Sequence, residues 1–396
     1  MDALEGWCRA ATTLTGWFTG AMLAVVSMGW APIAAAGTLW VGTYTTDAGR
    51  ETGSIGIYSL EWDARTGRLG PPQPAAATSS PSFLAADAAG RHLYAVNEDA
   101  AAEDRVSAFS VDPARPGALL FQDSVASGGS APCHLRVDRT GRWLFVANYL
   151  SGTLAVLPIH ADGALGEPQE VVQQSGSGPE TSRQQSAHAH EVLQSDDGRF
   201  VLSIDLGADR VFVYRFDDTT GHLAPADAGP ARLPSGYGPR HAVFSRDQRS
   251  LYVLTELVPA IVSFRWDPAS GSLAQRAVTP LLPGAFPRAG SGAEIVLSAD
   301  GRTLYASNRG DTHTISSFRI DADGLPHRMG VVPSGGTKPR FIGLDPGGHF
   351  LVAAHQDSGD LRVHRVDPVT GRLRLLPQRV ALPGAVMVLF GAPEPR

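Results

Sequence analysis

Lysine is almost missing from this chain: Lys338 is the only one, and every other strongly basic residue is an arginine. No run of basic residues occurs, and the net charge is −6. The sequence-independent attraction to nucleic acid is therefore lacking. Charged residues are scarce at 18% while apolar ones make up an ordinary 43%, which excludes a disordered chain. Cysteine is limited to Cys8 and Cys133, with no CxxC or Cys/His metal spacing. Should the N-terminus be removed, Cys133 alone remains and no intrachain disulfide can form. Nucleophile-elbow, Walker and dinucleotide-binding patterns are absent from any suitable strand–helix context. A serine-type hydrolase gains no support. Helical periodicity is also wanting, since the apolar residues alternate as they do in strands.

Turn residues are plentiful, with 44 glycines and 29 prolines. They punctuate a repeat. Pro239–Glu256 reads PRHAVFSRDQRSLYVLTE: a short apolar strand, a tight turn and a second strand. The same design starts at Pro81, Pro132, Ala189, Gly292 and Pro339, where most copies turn on a D-x-x-G-type signal. Copies recur roughly every fifty residues, a period that marks a repeat architecture. After each hairpin comes a further alternating strand, an acidic-Gly turn and a leucine, as in VFVYRFDDTTGHL at 211–223. That element occurs seven times, against six complete hairpins. LWVGTY at 39–44 is a second hairpin strand whose first strand is missing, and PGAVMVLF at 383–390 supplies it. Pairing the two closes a ring and removes open sheet edges. The expected fold is all-β, a seven-bladed β-propeller closed by its N- and C-terminal strands. Gln173–Ala187 lacks the pattern and is expected to be a loop on one face.

Residues 1–36 stand outside the repeat. Arg9 precedes an apolar run that ends in Ala34-Ala35-Ala36, which fits a secretory signal cleaved before Gly37. The run is also long enough for an uncleaved membrane anchor. The expectation is an export segment over 1–36 and one propeller over 37–396, located in the periplasm or secreted, or else held at a membrane. A monomer is expected.

Equivalent positions in a propeller gather around the central channel. The position after each hairpin's first residue holds Ser82, Cys133, His190, Arg240, Ala293, Arg340 and Gly384; the last position holds Tyr44, Glu98, Tyr149, Leu206, Glu256, Arg309 and Gln356. An antiparallel hairpin brings its first and last residues to one end, so both sets should crowd one channel mouth. His134, His188 and His241 lie close by in sequence. The other repeated positions read as apolar or turn residues, so polarity concentrates at this mouth. Arginines beside carboxylates and a histidine suit an anionic or oxyanion-forming ligand. The same arginines and carboxylates could instead pair with one another and hold adjacent blades in register. The H-x-H spacing at 188–190 lacks a third ligand at fixed spacing, so no metal is expected.

Several segments resemble a known family: VGTYT at 41–45, PCHLRVDRTGRWLFVANYLSGTLAV, HAHEV, DLGADRVFVYRFD, GPRHAVFS, YVLTEL and SNRG. They are similar to the lactonase family of seven-bladed propellers, which includes bacterial 6-phosphogluconolactonases and fungal carboxymuconate cycloisomerases. The resemblance runs over about 38–390. By motif it implies a catalytic set of His190, Arg240, Glu256 and Arg309, although His188 also falls within HAHEV. Glu98, His134, His188, His241, Arg340 and Tyr149 are expected to bind substrate. Hydrolysis of a sugar δ-lactone is implied, with no cofactor. Glu256 or His190 would act as general base, and Arg240 and Arg309 would stabilise the oxyanion. If the chain is exported, an unphosphorylated lactone becomes plausible beside 6-phosphogluconolactone. Two other functions fit the residues: a lactonizing cycloisomerase, and an exported propeller that binds a ligand or protein without catalysis.

Overall fold

The computed structural model describes residues 37–99, 104–284 and 290–391. The export segment expected at 1–36 lies outside these residues. Among the described residues there is no helix, and so none able to cross a membrane. Seven antiparallel sheets of four or five strands follow one another along the chain, beside one small two-stranded hairpin. Their innermost strands are Leu84–Ala86, Pro132–Val137, Ala189–Gln194, Pro239–Phe244, Gly292–Leu297, Pro339–Leu344 and Ala385–Phe390. Each packs against the next, and the circle closes between the last and the first. This is the expected seven-bladed propeller. The split blade is also as expected: Ala385–Phe390 pairs with Gly37–Thr43, placing Leu39 opposite Phe390 and Val41 opposite Val388.

The local cause of each hairpin is visible in the turn at Asp138. Its carboxylate accepts the backbone N–H groups of Thr140, Arg142 and Trp143, while Gly141 takes a φ of +71° that a side chain would resist. Between blades, apolar faces interlock. Leu202, Val211 and Phe200 of one blade pack with Val253, Phe264 and Trp266 of the next. Each fully buried phenylalanine contributes roughly 2–3 kcal/mol of transfer free energy. Gly271 sits at φ +74° directly over the Phe200 ring, where an added Cβ would lie 2.4 Å from it. A turn of one blade thus seats on an aromatic ring of its neighbour.

At one end of the channel the inner hairpins share an irregularity. Their register slips between Pro132 and His134, Ala189 and Glu191, Pro239 and His241, and Pro339 and Phe341. In each case one extra residue stands outside the ladder: Cys133, His190, Arg240 and Arg340. A bulge frees a residue from pairing and re-aims its side chain, often beside a functional site.

Candidate active site

Arg240 and Arg340 reach the mouth through these bulges; Arg240 meets Glu256 from the end of its own hairpin, and Arg340 meets Glu98 from another blade. Glu256 is the centre of the first cluster. Its Oε2 lies 3.1 Å from Arg240 Nε and 2.6 Å from Arg309 Nη2, while its Oε1 accepts from Arg183 Nη2 at 2.8 Å. Arg240 also donates through Nη1 to the Ala293 carbonyl. Burial alone would raise the Glu256 carboxyl, but Arg309, Arg240 and Arg183 outweigh it and hold the pKa at about 2. Burial, with repulsion from Arg309 and Arg340, pulls Arg240 down to about 9, so it still carries its charge at neutral pH.

Glu98 anchors the second cluster. Its Oε2 accepts from Tyr44 Oη at 2.9 Å and Ser82 Oγ at 2.5 Å, and Arg340 Nη2 lies 3.4 Å away. The Arg340 guanidinium also covers the Tyr44 ring at 5.1 Å, a cation–π contact. Four arginines and two carboxylates therefore share the mouth, with a formal surplus of positive charge.

His190 stands beside the first cluster. Its ring meets those of Tyr149 at 5.6 Å and His241 at 5.2 Å, both edge-on. Its Nδ1 is buried without a hydrogen-bond partner among the described residues. Burial and the charge of Arg240 hold its pKa well below the ordinary imidazole value, so the ring is neutral at pH 7. A neutral imidazole close to fixed guanidinium groups can take a proton from water while the cations receive negative charge.

Of the residues expected at the mouth, His190, Arg240, Glu256, Arg309 and Tyr149 are brought together, and Glu98 and Arg340 form the neighbouring cluster. His188 is placed differently. Its Nδ1 is 2.8 Å from the Tyr149 carbonyl and its ring stacks on that of Tyr149 at 4.7 Å, so it backs the tyrosine. His134 and His241 sit one ring deeper, at the hairpins' third residue. His241 Nδ1 lies 2.9 Å from Glu294 Oε2, and His134 Nε2 lies 3.8 Å from Glu191 Oε1. The Val192 N–H points at His134 Nδ1 from 3.4 Å, which leaves that nitrogen as the acceptor of a neutral ring. Burial lowers both imidazoles and raises the Glu294 carboxyl to about 8. Phe83 caps this layer, 4.0 Å from the His134 ring.

The repeat offered a signal for Glu191 and Glu294, which occupy the same third position as His134 and His241. Arg183 gave none, because it lies in the stretch without the pattern. Gln173–Ala187 does run as loop beyond the outer-strand residue Gln173, yet it is partly buried: Gln184 donates to the Leu206 carbonyl and to Asp209. One expectation needs correction. Polarity is not confined to the mouth, because the penultimate hairpin position also holds polar residues: Thr43, Asn97, Asn148, Asp205, Thr255, Asn308 and His355. All are buried, and their bonds run to the blade's own chain or to the segment that leads into it. Asn97 donates to Thr78 and Ser79, Asn148 to the Ser127 carbonyl, and His355 contacts Ser334 and Asp360. Among the described residues, no three His, Cys, Asp or Glu side chains gather as a metal site would require.

Fold and mouth together define a seven-bladed propeller with an arginine-rich site at one end of its channel. The chain belongs to the lactonase family of seven-bladed β-propellers, whose model matches residues 38–390. A Bacillus subtilis protein named 6-phosphogluconolactonase is 33% identical over 89% of this chain and 97% of its own length. A Formosa agariphila protein of the same name is 28% identical over 88% and 97%. Among solved structures, a periplasmic gluconolactonase of Pseudomonas aeruginosa is 34% identical with a TM-score of 0.83, covering 91% of this chain and all of that one.

Proposed function

We propose that this protein is an enzyme that hydrolyses a sugar δ-lactone to the aldonic acid at the channel mouth, with His190 as general base. The observation that carries the assignment of roles is the state of Glu256, whose two oxygens are held by three guanidinium groups and whose pKa sits at about 2. Such a carboxylate is a poor proton acceptor near neutral pH; it serves to fix the arginines. His190 is neutral, held so by burial and by the charge of Arg240, which suits the base.

In the reaction, His190 takes a proton from water as the water oxygen bonds to the lactone carbonyl carbon. The carbonyl oxygen becomes an oxyanion facing Arg240 and Arg309. Collapse re-forms the carbonyl and breaks the bond to the ring oxygen, which receives the proton from the His190 imidazolium. Lactone and water become aldonic acid, with no net proton left on the enzyme. The depressed imidazole pKa aids the second half, since it makes the imidazolium a stronger acid. The relatives named 6-phosphogluconolactonase and the periplasmic gluconolactonase support the substrate class, a six-carbon aldonolactone with or without phosphate. The apolar run before Gly37, together with the periplasmic relative, supports an exported enzyme.

The test is acid release from glucono-δ-lactone and 6-phosphoglucono-δ-lactone by the full chain, in wild type and Arg240→Ala. Turnover above the spontaneous rate that falls at least about a hundredfold in the variant is expected, as for loss of an oxyanion donor. No turnover on either lactone overturns the reading.

A further inference from the structure

The four mouth arginines differ in their exposure. The side chains of Arg240, Arg309 and Arg340 are 2%, 11% and 12% exposed, whereas Arg183 is 41% exposed. Arg183 comes from the loop after Gln173, outside the ring of inner strands, and bends over the site. One nitrogen, Nη2, makes both of its contacts, to Glu256 Oε1 at 2.8 Å and Tyr149 Oη at 3.1 Å. Among the described residues, Nε and Nη1 have no protein partner and face the solvent side. Glu256 is already matched by Arg240 and Arg309, so the Arg183 charge is not needed to neutralise it.

We propose that Arg183 is a specificity-determining residue whose free donors bind an anionic substituent on the lactone, so that the mouth prefers a phosphorylated sugar lactone over its neutral counterpart. The inference rests on the lactone-hydrolase reading. A guanidinium fork matches phosphate geometry in a bidentate manner, and its partial burial strengthens the contact. The scissile carbonyl would sit over His190 and Arg240, and the far end of the substrate would extend outward to Arg183. Export would favour an unphosphorylated lactone; the surplus of guanidinium charge points the other way.

The experiment measures kcat and KM of the full chain on 6-phosphoglucono-δ-lactone and glucono-δ-lactone, in wild type, Arg183→Met and Arg183→Lys. Methionine keeps the alkyl stem and removes the charge; lysine keeps the charge and loses the fork. The ratio of kcat/KM values, phosphorylated over neutral, should exceed unity in wild type and fall about tenfold or more in Arg183→Met, chiefly through KM, with partial recovery in Arg183→Lys. A ratio that does not change overturns the proposal, because Arg183 would then act only through Glu256 and Tyr149. Calorimetric binding of 6-phosphogluconate and gluconate separates this from failure of the hydrolase reading. Tighter binding of the phosphorylated acid, lost in Arg183→Met, supports the role of Arg183 even if neither lactone turns over. Equal binding of the two acids overturns it.

Discussion

Two polar rings lie one residue apart at the end of the same strand, and they do different work. The penultimate ring, Thr43 through His355, is bonded within each blade or to the segment that enters it. His355 is the fullest case: Nε2 is 3.0 Å from Ser334 Oγ and Nδ1 is 3.0 Å from Asp360 Oδ1, an arrangement of Ser, His and Asp with no access to solvent. The final ring, Tyr44 through Gln356, adds partners across blades to those within one. Tyr44 meets Glu98, and Glu256 meets Arg183, Arg240 and Arg309. Both rings vary in residue type while staying largely polar. Variation with polarity is therefore insufficient to mark a site. What separates them is charge: the first ring is tied mostly to neighbouring backbone and hydroxyls, with Asn148 Oδ1 and Asp205 Oδ2 left unbonded among the described residues, while the second sits among the surplus guanidinium groups of the mouth.

The sharpest way to break this comparison is to exchange histidine for alanine in the site and in the scaffold. At the mouth, His190→Ala should lower kcat by about 10²–10⁴ per folded molecule; it empties the space of a buried ring but leaves no hydrogen-bond partner of Nδ1 unmatched. The pH profile adds a second check. The imidazole is held below its ordinary value, so the neutral base persists as pH falls, and kcat/KM should stay level from about pH 8 down to 6.5. A wild-type profile half-maximal near pH 7 would sink His190 as base. The same depression has a stability sign. Below about pH 6.5 the unfolded chain takes up the proton first, so stability declines with falling pH through His190, and likewise through His134 and His241.

At His355 the outcome should reverse. His355→Ala removes a fully buried ring and takes one partner each from Ser334 Oγ and Asp360 Oδ1, a loss of about 2–4 kcal/mol in unfolding free energy. Turnover per folded molecule should stay within about twofold, as befits a residue that fastens the blade. A tenfold fall in kcat with stability intact would mean that the penultimate ring reaches the chemistry.

The fold was legible because the repeat indexes every strand, and because a half unit at Leu39 is matched by a half unit ending at Phe390. The same index brought His190, Arg240, Glu256 and Arg309 to one mouth from positions far apart in the chain. It failed where physics departs from strict period. The inner-strand bulges let consecutive residues face the channel at successive depths, so Arg240 meets Glu256 while His241 drops to Glu294. Depth along a channel leaves no trace in spacing. Arg183 was invisible for a different reason, since a loop outside the repeat has no equivalent elsewhere by which to place it. The penultimate ring is polar already in the sequence, from Thr43 to His355, and was passed over there; what a sequence withholds is which group satisfies each member.

The gentlest test concerns Gln356, which holds the same ring position as Glu256 and Arg309 yet belongs to neither cluster. Its Nε2 donates to Asp47 at 2.8 Å, on the short Thr46–Asp47 and Arg50–Glu51 hairpin at the rim. If ring position alone made the site, every member would matter, and Gln356→Ala would lower kcat/KM severalfold. If membership of a charge cluster makes it, the substitution costs one hydrogen bond, about 0.5–1.5 kcal/mol of stability, and leaves kcat/KM within about twofold. The second outcome is expected. Leu206, apolar and buried at the same position, already shows that the ring tolerates a member with no polar atom in its side chain. A severalfold loss of kcat/KM in Gln356→Ala would instead extend the site to the rim hairpin and make Asp47 part of it.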